Sequence, residues 1–155
     1  MKALIISDSH SNKSNIYRIE GLIREQKIKT IIHLGDHARD GEEITNDMGL
    51  PVYAVAGNCD MFSQSPKQII WRVGEEKVLL THGDLLGVKR GLLRLRLAAQ
   101  ENGCKYAFYG HTHEKYLTNE NGITLMNPGA LLNGEYCIVD FENGAFSFKF
   151  GKIEA

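Results

Sequence analysis

Three short apolar runs, at residues 3–7, 30–34 and 52–56, divide the first part of the chain, and the stretches between them are helical or looped in pattern. This alternation restricts the fold more than any other feature. Residues 12–26 set Ile16, Ile19, Leu22 and Ile23 at helical spacing, with Ser11 or Asn12 as the N-cap. Residues 40–47 offer a second, shorter helix. Strand, helix, strand, helix, strand implies parallel pairing through right-handed crossovers.

The pattern then changes. Gln68–Val73 and residues 77–81 flank Gly74-Glu75-Glu76 and read as a hairpin. Residues 88–102, with Leu92, Leu93, Leu95, Leu97 and Ala98, read as a helix that Gly103 stops. Its Arg90, Arg94 and Arg96 form a solvated face. Residues 106–109 are a strand. Beyond Gly110 only strands and turns are expected, with hairpins at Asn121-Gly122 and Asn143-Gly144. The whole predicts an α/β sandwich: a partly parallel sheet first, an antiparallel sheet closing it, and helices outside.

At 155 residues the chain suits one domain over residues 1–155. A net charge of -1 argues against a polycationic, nucleic-acid-binding surface. Cys59, Cys104 and Cys137 lack CxxC spacing, which argues against a disulfide framework or zinc knuckle. No run approaches the ~20 apolar residues of a membrane span. The N-terminal residues lack the apolar region and cleavage site of a signal peptide. A cytoplasmic location without membrane attachment is the expectation.

Chemistry concentrates where strands should end. Asp8-Ser9-His10 follows the first run, Gly35-Asp36 the second and Gly57-Asn58 the third. His82-Gly83 follows the hairpin, and Gly110-His111-Thr112-His113 follows residues 106–109. Ligands of open α/β sheets bind outside the carboxyl ends of parallel strands. Asp8, His10, Asp36, Asn58, His82, His111 and His113 are mixed nitrogen and oxygen donors without thiolate. That set suits Mn, Fe, Zn or Ni better than Ca or Mg. It is too large for one tetrahedral ion with an open position, and it fits two ions that share a carboxylate.

In that order, DSH, GD, GNCD, THG and GHTH resemble the signature blocks of the calcineurin-like metallophosphoesterase superfamily. The short length, GNCD and the NPGA segment at residues 127–130 are most similar to its small YfcE-like phosphodiesterase branch. The resemblance implies a four-layer α/β/β/α sandwich of two mixed sheets with helices outside. It implies two divalent transition-metal ions per chain, Mn2+ first, with Ni2+, Fe2+ or Zn2+ as alternatives. Asp8, His10 and His113 would hold one ion, Asn58, His82 and His111 the other, and Asp36 would bridge them. A bridging hydroxide would attack phosphorus in line. The resemblance thus gives Asp36, Asn58 and His111 catalytic as well as metal roles. Many relatives carry His after the Asn, as leaving-group acid; here Cys59 stands there, a thiol poorly matched to neutral pH.

His33 lies inside an apolar run and reads as a packed group, and His37 reads as facing solvent. Asp60 reads as a loop orienter or a turn cap. Asn127-Pro128-Gly129 reads as a turn, and the resemblance implies a loop lining the substrate crevice. A tyrosine-phosphatase loop around Cys59 would need Arg where Ser65 stands. A P-loop and a GxSxG elbow are missing. From another class comes a non-catalytic protein-binding scaffold of the same fold, like the related retromer subunit; a full set of seven competent ligands speaks against it. The expected partner is a small phosphate-ester substrate. A homodimer or higher homo-oligomer, through the 88–102 helix or a sheet edge, is expected only by analogy.

Overall fold

The computed structural model describes residues 1–10, 13–38, 40, 48–60 and 63–153. Ser11 and Asn12, as N-cap candidates, and most of the 40–47 helix lie outside the described residues.

The strands are β1 (Lys2–Ile6), β2 (Thr30–His33), β3 (Val52–Ala54), β4 (Gln68–Val73), β5 (Glu76–Thr81) and β6 (Tyr106–Phe108). They continue with β7 (Tyr116–Glu120), β8 (Ile123–Asn127), β9 (Glu135–Glu142) and β10 (Ala145–Lys152). The helices are α1 (Lys13–Gln26) and α2 (Leu93–Glu101). Two five-stranded sheets result, ordered β10-β9-β1-β2-β3 and β4-β5-β6-β8-β7.

Both sheets are mixed, as the resemblance implies. In the first, β1, β2 and β3 are parallel and β9 and β10 antiparallel. The second departs from the expectation of an antiparallel sheet. Its centre, β5, β6 and β8, is parallel, and only its edges β4 and β7 run against it. The segment joining β5 to β6 carries α2 and is long enough for a crossover. The last hairpin returns to the first sheet, where β9 pairs with β1.

The sheets pack face to face. Ala3 and Ile5 of β1, Ile32, Trp71, Leu80, Phe108 and Met126 fill the space between them. The alternate residues Leu4 and Ile6 point outward onto Ile16, Ile19 and Ile23 of α1. Because β1 is buried on both faces, it is a continuous apolar run rather than an alternating one. Each α1 isoleucine so covered contributes roughly 2 kcal/mol. On the far side Leu95 and Ala99 of α2 cover Leu79, Ala107 and Leu125. The layers therefore run α/β/β/α.

The expected 88–102 helix begins only at Leu93. Gly87 (φ 62°) and Gly91 (φ 144°) adopt left-handed backbone that interrupts it, after a 3-10 turn at Asp84–Leu86. Val88 and Leu92 still pack into the α2 core, so their apolar character reports burial rather than helix. Asn121-Gly122 and Asn143-Gly144 both have positive φ at both residues, as the tight primed hairpin turns require. Among the described residues no helix is long and apolar enough to cross a membrane.

Candidate metal centre

The parallel strands β1, β2 and β3 of one sheet, and β5 and β6 of the other, deliver their C-terminal loops to one edge of the sandwich. Hydrogen bonds join these loops. The Asp8 N–H donates to the Gly35 carbonyl (2.9 Å), Gly110 N–H to the His82 carbonyl (3.0 Å) and His111 N–H to Asp8 Oδ2 (3.1 Å).

Two groups of ligand atoms form there. Asp8, His10, Asp36 and His113 make one, and Asp36, His82 and His111 the other, each with its atoms within 4.8 Å of one another. Asp36 belongs to both. Asn58 joins the second: its Oδ1 lies 3.0 Å from His82 Nε2. The structure thus brings together all seven residues singled out in the sequence. Asp36 Oδ2 lies 3.5 Å from His82 Nε2 and 3.8 Å from His10 Nε2. Asp8 Oδ1 lies 3.3 Å from His113 Nε2.

The donor chemistry fits a cation. Asp8 Oδ1 is fully buried and has no hydrogen-bond partner, a costly state for a carboxylate oxygen. Its other oxygen accepts from Ser7 Oγ at 2.6 Å. His82 Nδ1 lies 2.7 Å from the Leu34 carbonyl, so that nitrogen carries the proton. The Nε2 of neutral His82 is then a lone pair, directed at Asn58 Oδ1 and at His111 Nδ1, 3.1 Å away. Acceptors converging on one point need a proton or a metal between them. Burial alone would lower the His82 pKa, but Asp36, Asp8 and the Leu34 carbonyl raise it above the usual imidazole value. Burial would raise Asp36, yet His82 and the Cys59 N–H hold it well below the carboxylate range. His111 is pushed down by burial and then by the positive fields of His82 and Lys89.

The backbone is bent to serve this geometry. Asp8, His10, Asp36, His37, His111 and His113 have φ between 47° and 72°, six of the nine non-glycine residues with positive φ among those described. Such strain gathers where surrounding contacts impose it. Close approach also explains Gly110: a Cβ there would collide with Ser7 Oγ and meet Asp8 Oδ2 at 2.9 Å.

Supporting residues carry more of the site than the sequence suggested. Asp60 accepts four backbone N–H bonds, from Asp36 (2.9 Å), His37 (2.8 Å), Ala38 (3.2 Å) and Gly57 (2.8 Å). It pins the Asp36 loop to the Asn58 loop. Asn127 is fully buried and fixes the His111–His113 loop. Its Nδ2 donates to the Gly110 carbonyl (3.1 Å) and to Thr112 Oγ1 (3.0 Å), while its Oδ1 accepts the Gly129 N–H (2.9 Å). It clamps that loop from inside; an Asn closing a strand before Pro-Gly was the available signal. His37, read as facing solvent, is partly buried and stands edge-on to His10 at 5.3 Å between ring centroids. Cys59 is exposed, and its N–H donates to Asp36 Oδ1 at 2.9 Å. Burial, then the Asp36, Asp60 and Asp8 charges, raises its thiol pKa, so the thiol keeps its proton at neutral pH.

His33 is the packed group the sequence suggested. Its Nδ1 accepts the Gly35 N–H (3.1 Å), which places the ring proton on Nε2, 2.8 Å from Ser9 Oγ; that hydroxyl donates to Asp40. Burial lowers its pKa to about 4. Between 6.5 and about 4 the unfolded chain binds a proton that the folded one refuses. Stability therefore falls as pH drops through that window, by about 3 kcal/mol in all. His33→Asn can still accept from Gly35. It is expected to lose roughly 1–3 kcal/mol at pH 7. Its melting curve should close on the wild type's as pH approaches 4. Parallel curves would mean that His33 is charged in the fold.

These features define a class: an α/β/β/α sandwich with a metal-binding centre built on strand ends. The chain belongs to the calcineurin-like phosphoesterase superfamily, whose domain description matches residues 1–144. It is 32% identical over 157 residues to the probable metallophosphoesterase YsnB of Bacillus subtilis (strain 168), covering 97% of this chain and 90% of that one. It is 26% identical over 145 residues to the phosphodiesterase MJ0936 of Methanocaldococcus jannaschii, covering 83% of each. In fold it is similar to Vps29 of Entamoeba histolytica in complex with Zn2+, at a TM-score of 0.78 and 16% identity, over 98% of this chain and 99% of that one. The coarse activity that goes with the family is metal-dependent hydrolysis of phosphate esters.

Proposed function

We propose that this chain is a phosphodiesterase working through two divalent ions, Mn2+ foremost, in a cytoplasmic setting. Asp8, His10 and His113 would hold one ion and Asn58, His82 and His111 the other, with Asp36 shared by both sets. The observation that carries this reading is the pair of ligand groups sharing Asp36. Ions so held would offset the phosphoryl charge and bring the pKa of water from 15.7 toward ~7, making hydroxide available at neutral pH.

The chain's own residues do the rest. The Leu34 carbonyl holds His82 in the tautomer whose Nε2 lone pair faces the centre. Asp60 and Asn127 keep the ligand loops in register. In the reaction the bond from hydroxide to phosphorus forms as the bond to the ester oxygen breaks. The departing alkoxide takes a proton from water or from the Cys59 thiol, which is still protonated.

A second reading, a protein-binding scaffold, draws on the likeness to Vps29. The completeness of the ligand set weighs against it, since an unpaired buried carboxylate oxygen lowers stability with no return to a scaffold. Metal-stripped protein titrated with manganese and assayed on bis-p-nitrophenyl phosphate decides. Activity should appear with metal, saturate near about two ions per chain and vanish in millimolar EDTA. Tight metal binding without turnover, on this ester and on monoesters, would favour the scaffold. Much faster turnover of monoesters would end the diesterase assignment.

A further inference from the structure

Beside the candidate centre lies a groove of about 430 Å3. It falls in the usual ~300–1,000 Å3 range of small-molecule sites. One wall is the segment after β5, with Val88, Lys89 and Leu92; the other is the segment after β6, with Tyr109, Thr112 and Tyr116. The two segments that wall the groove are the ones that carry His82, His111 and His113. Thr112 stands between the two histidines of its loop. Val88 packs on Gly83, next to His82, so closely that a Cβ on Gly83 would meet Val88 Cγ1 at 2.9 Å. The groove therefore adjoins the loops that carry these candidate ligands.

Its lining has a definite chemistry. Val88 and Leu92 are aliphatic, and half of the Tyr116 side chain is open to solvent at 50% exposure. Aliphatic side chains beside an exposed aromatic one suit a flat ring. Lys89 is exposed and makes no ion pair among the described residues. It offers a cation to anionic oxygens that enter the groove. Glu114 also lines the groove. A carboxylate only accepts, so it selects groups that donate hydrogen bonds and repels a further anion. A cation, an exposed aromatic side chain and a carboxylate acceptor suit, respectively, a phosphate, a planar ring and a ring-edge donor.

We propose that this groove receives one ester arm of the substrate, and that this arm carries a planar ring with hydrogen-bond donors on its edge, as in a nucleotide diester. The assignment rests on the phosphodiesterase reading and names its substrate class. Stacking on Tyr116 gives affinity without strict base choice, because every base offers a π face. An acyl-bearing head group would have to lay its tails along Lys89 and Glu114.

The test uses the manganese-loaded protein and two diesters with the same p-nitrophenyl leaving group. One carries methyl as its second arm, the other thymidine through its 5′ oxygen. Wild type should show a KM about tenfold lower for the thymidine ester. Tyr116→Ala should erase that difference by raising only the thymidine KM, with kcat unchanged for both, and Tyr116→Phe should restore it. Equal KM values in wild type, or equal effects of Tyr116→Ala on both esters, would overturn the groove assignment while leaving the phosphodiesterase reading intact. If neither ester is hydrolysed, the phosphodiesterase reading fails, and calorimetry with thymidine 5′-monophosphate judges the groove alone. Weaker binding to Tyr116→Ala than to wild type supports it, and equal binding overturns it.

Discussion

Asp36→Asn is expected to abolish hydrolysis of bis-p-nitrophenyl phosphate, lowering kcat by at least roughly 10^3, or about 4 kcal/mol in the barrier. The substitution keeps the shape and removes the charge. Asp36 Oδ1 accepts the Cys59 N–H at 2.9 Å, so the asparagine carbonyl oxygen must take that place. Its NH2 group then occupies the position of Oδ2, facing His82 Nε2 and His10 Nε2. An amide nitrogen there cannot join two cations. Metal analysis of purified protein should show fewer than two ions bound, while circular dichroism shows the fold retained. Wild-type turnover in this variant would end the two-ion reading.

Asp60→Ala is expected to weaken metal binding by about 10- to 100-fold although Asp60 need touch no ion. The alanine leaves four backbone N–H groups, from Asp36, His37, Ala38 and Gly57, without their acceptor. Water will reach some of them, so a stability loss of roughly 2–4 kcal/mol is expected. More telling is the effect on geometry. Asp36 and His37 both have left-handed backbone, with φ of 61° and 64°, and Asp60 holds the N–H of each. Released, that turn relaxes and Asp36 leaves the space between the two histidine sets. Asp60→Asn keeps one acceptor oxygen and should fall between alanine and wild type. Manganese titration by calorimetry beside thermal melts separates the two effects. Unchanged affinity with a lowered melting temperature would reduce Asp60 to a purely structural turn residue.

The seven candidate ligands were legible because each sits at the end of an apolar run, where the period of the pattern marks a strand and the next residues break it. Strand identity followed from the same local signal. What the letters did not reveal is non-local. Nothing in residues 106–127 tells β6 and β8 to lie parallel with β7 outside them, since β7 and β8 also form an ordinary hairpin. Leu92 and Val88 looked helical because burial against α2's core selects the same side chains as an amphipathic helix would. The left-handed backbone at His10, His111 and His113 has no signal in propensity, which favours glycine, asparagine or aspartate there. Contacts from distant loops impose it. Asn127 was visible only as part of a turn, because its partners Gly110 and Thr112 come from another loop.

The pairing of β9 with β1, Lys2 opposite Asp140, has a consequence for how the protein is made. In synthesis β1 is made long before β9, and the edge it offers to that partner stays open until residues 135–142 have followed. Until then the backbone donors and acceptors beside apolar Ala3, Leu4, Ile5 and Ile6 lie open on that side, a surface for misplaced pairing or for a chaperone. Asp8 and His10 hang from that strand, so the centre cannot be assembled in stages as its loops appear. A product stalled before residue 135 carries all seven candidate ligands but lacks the strand that pairs with β1.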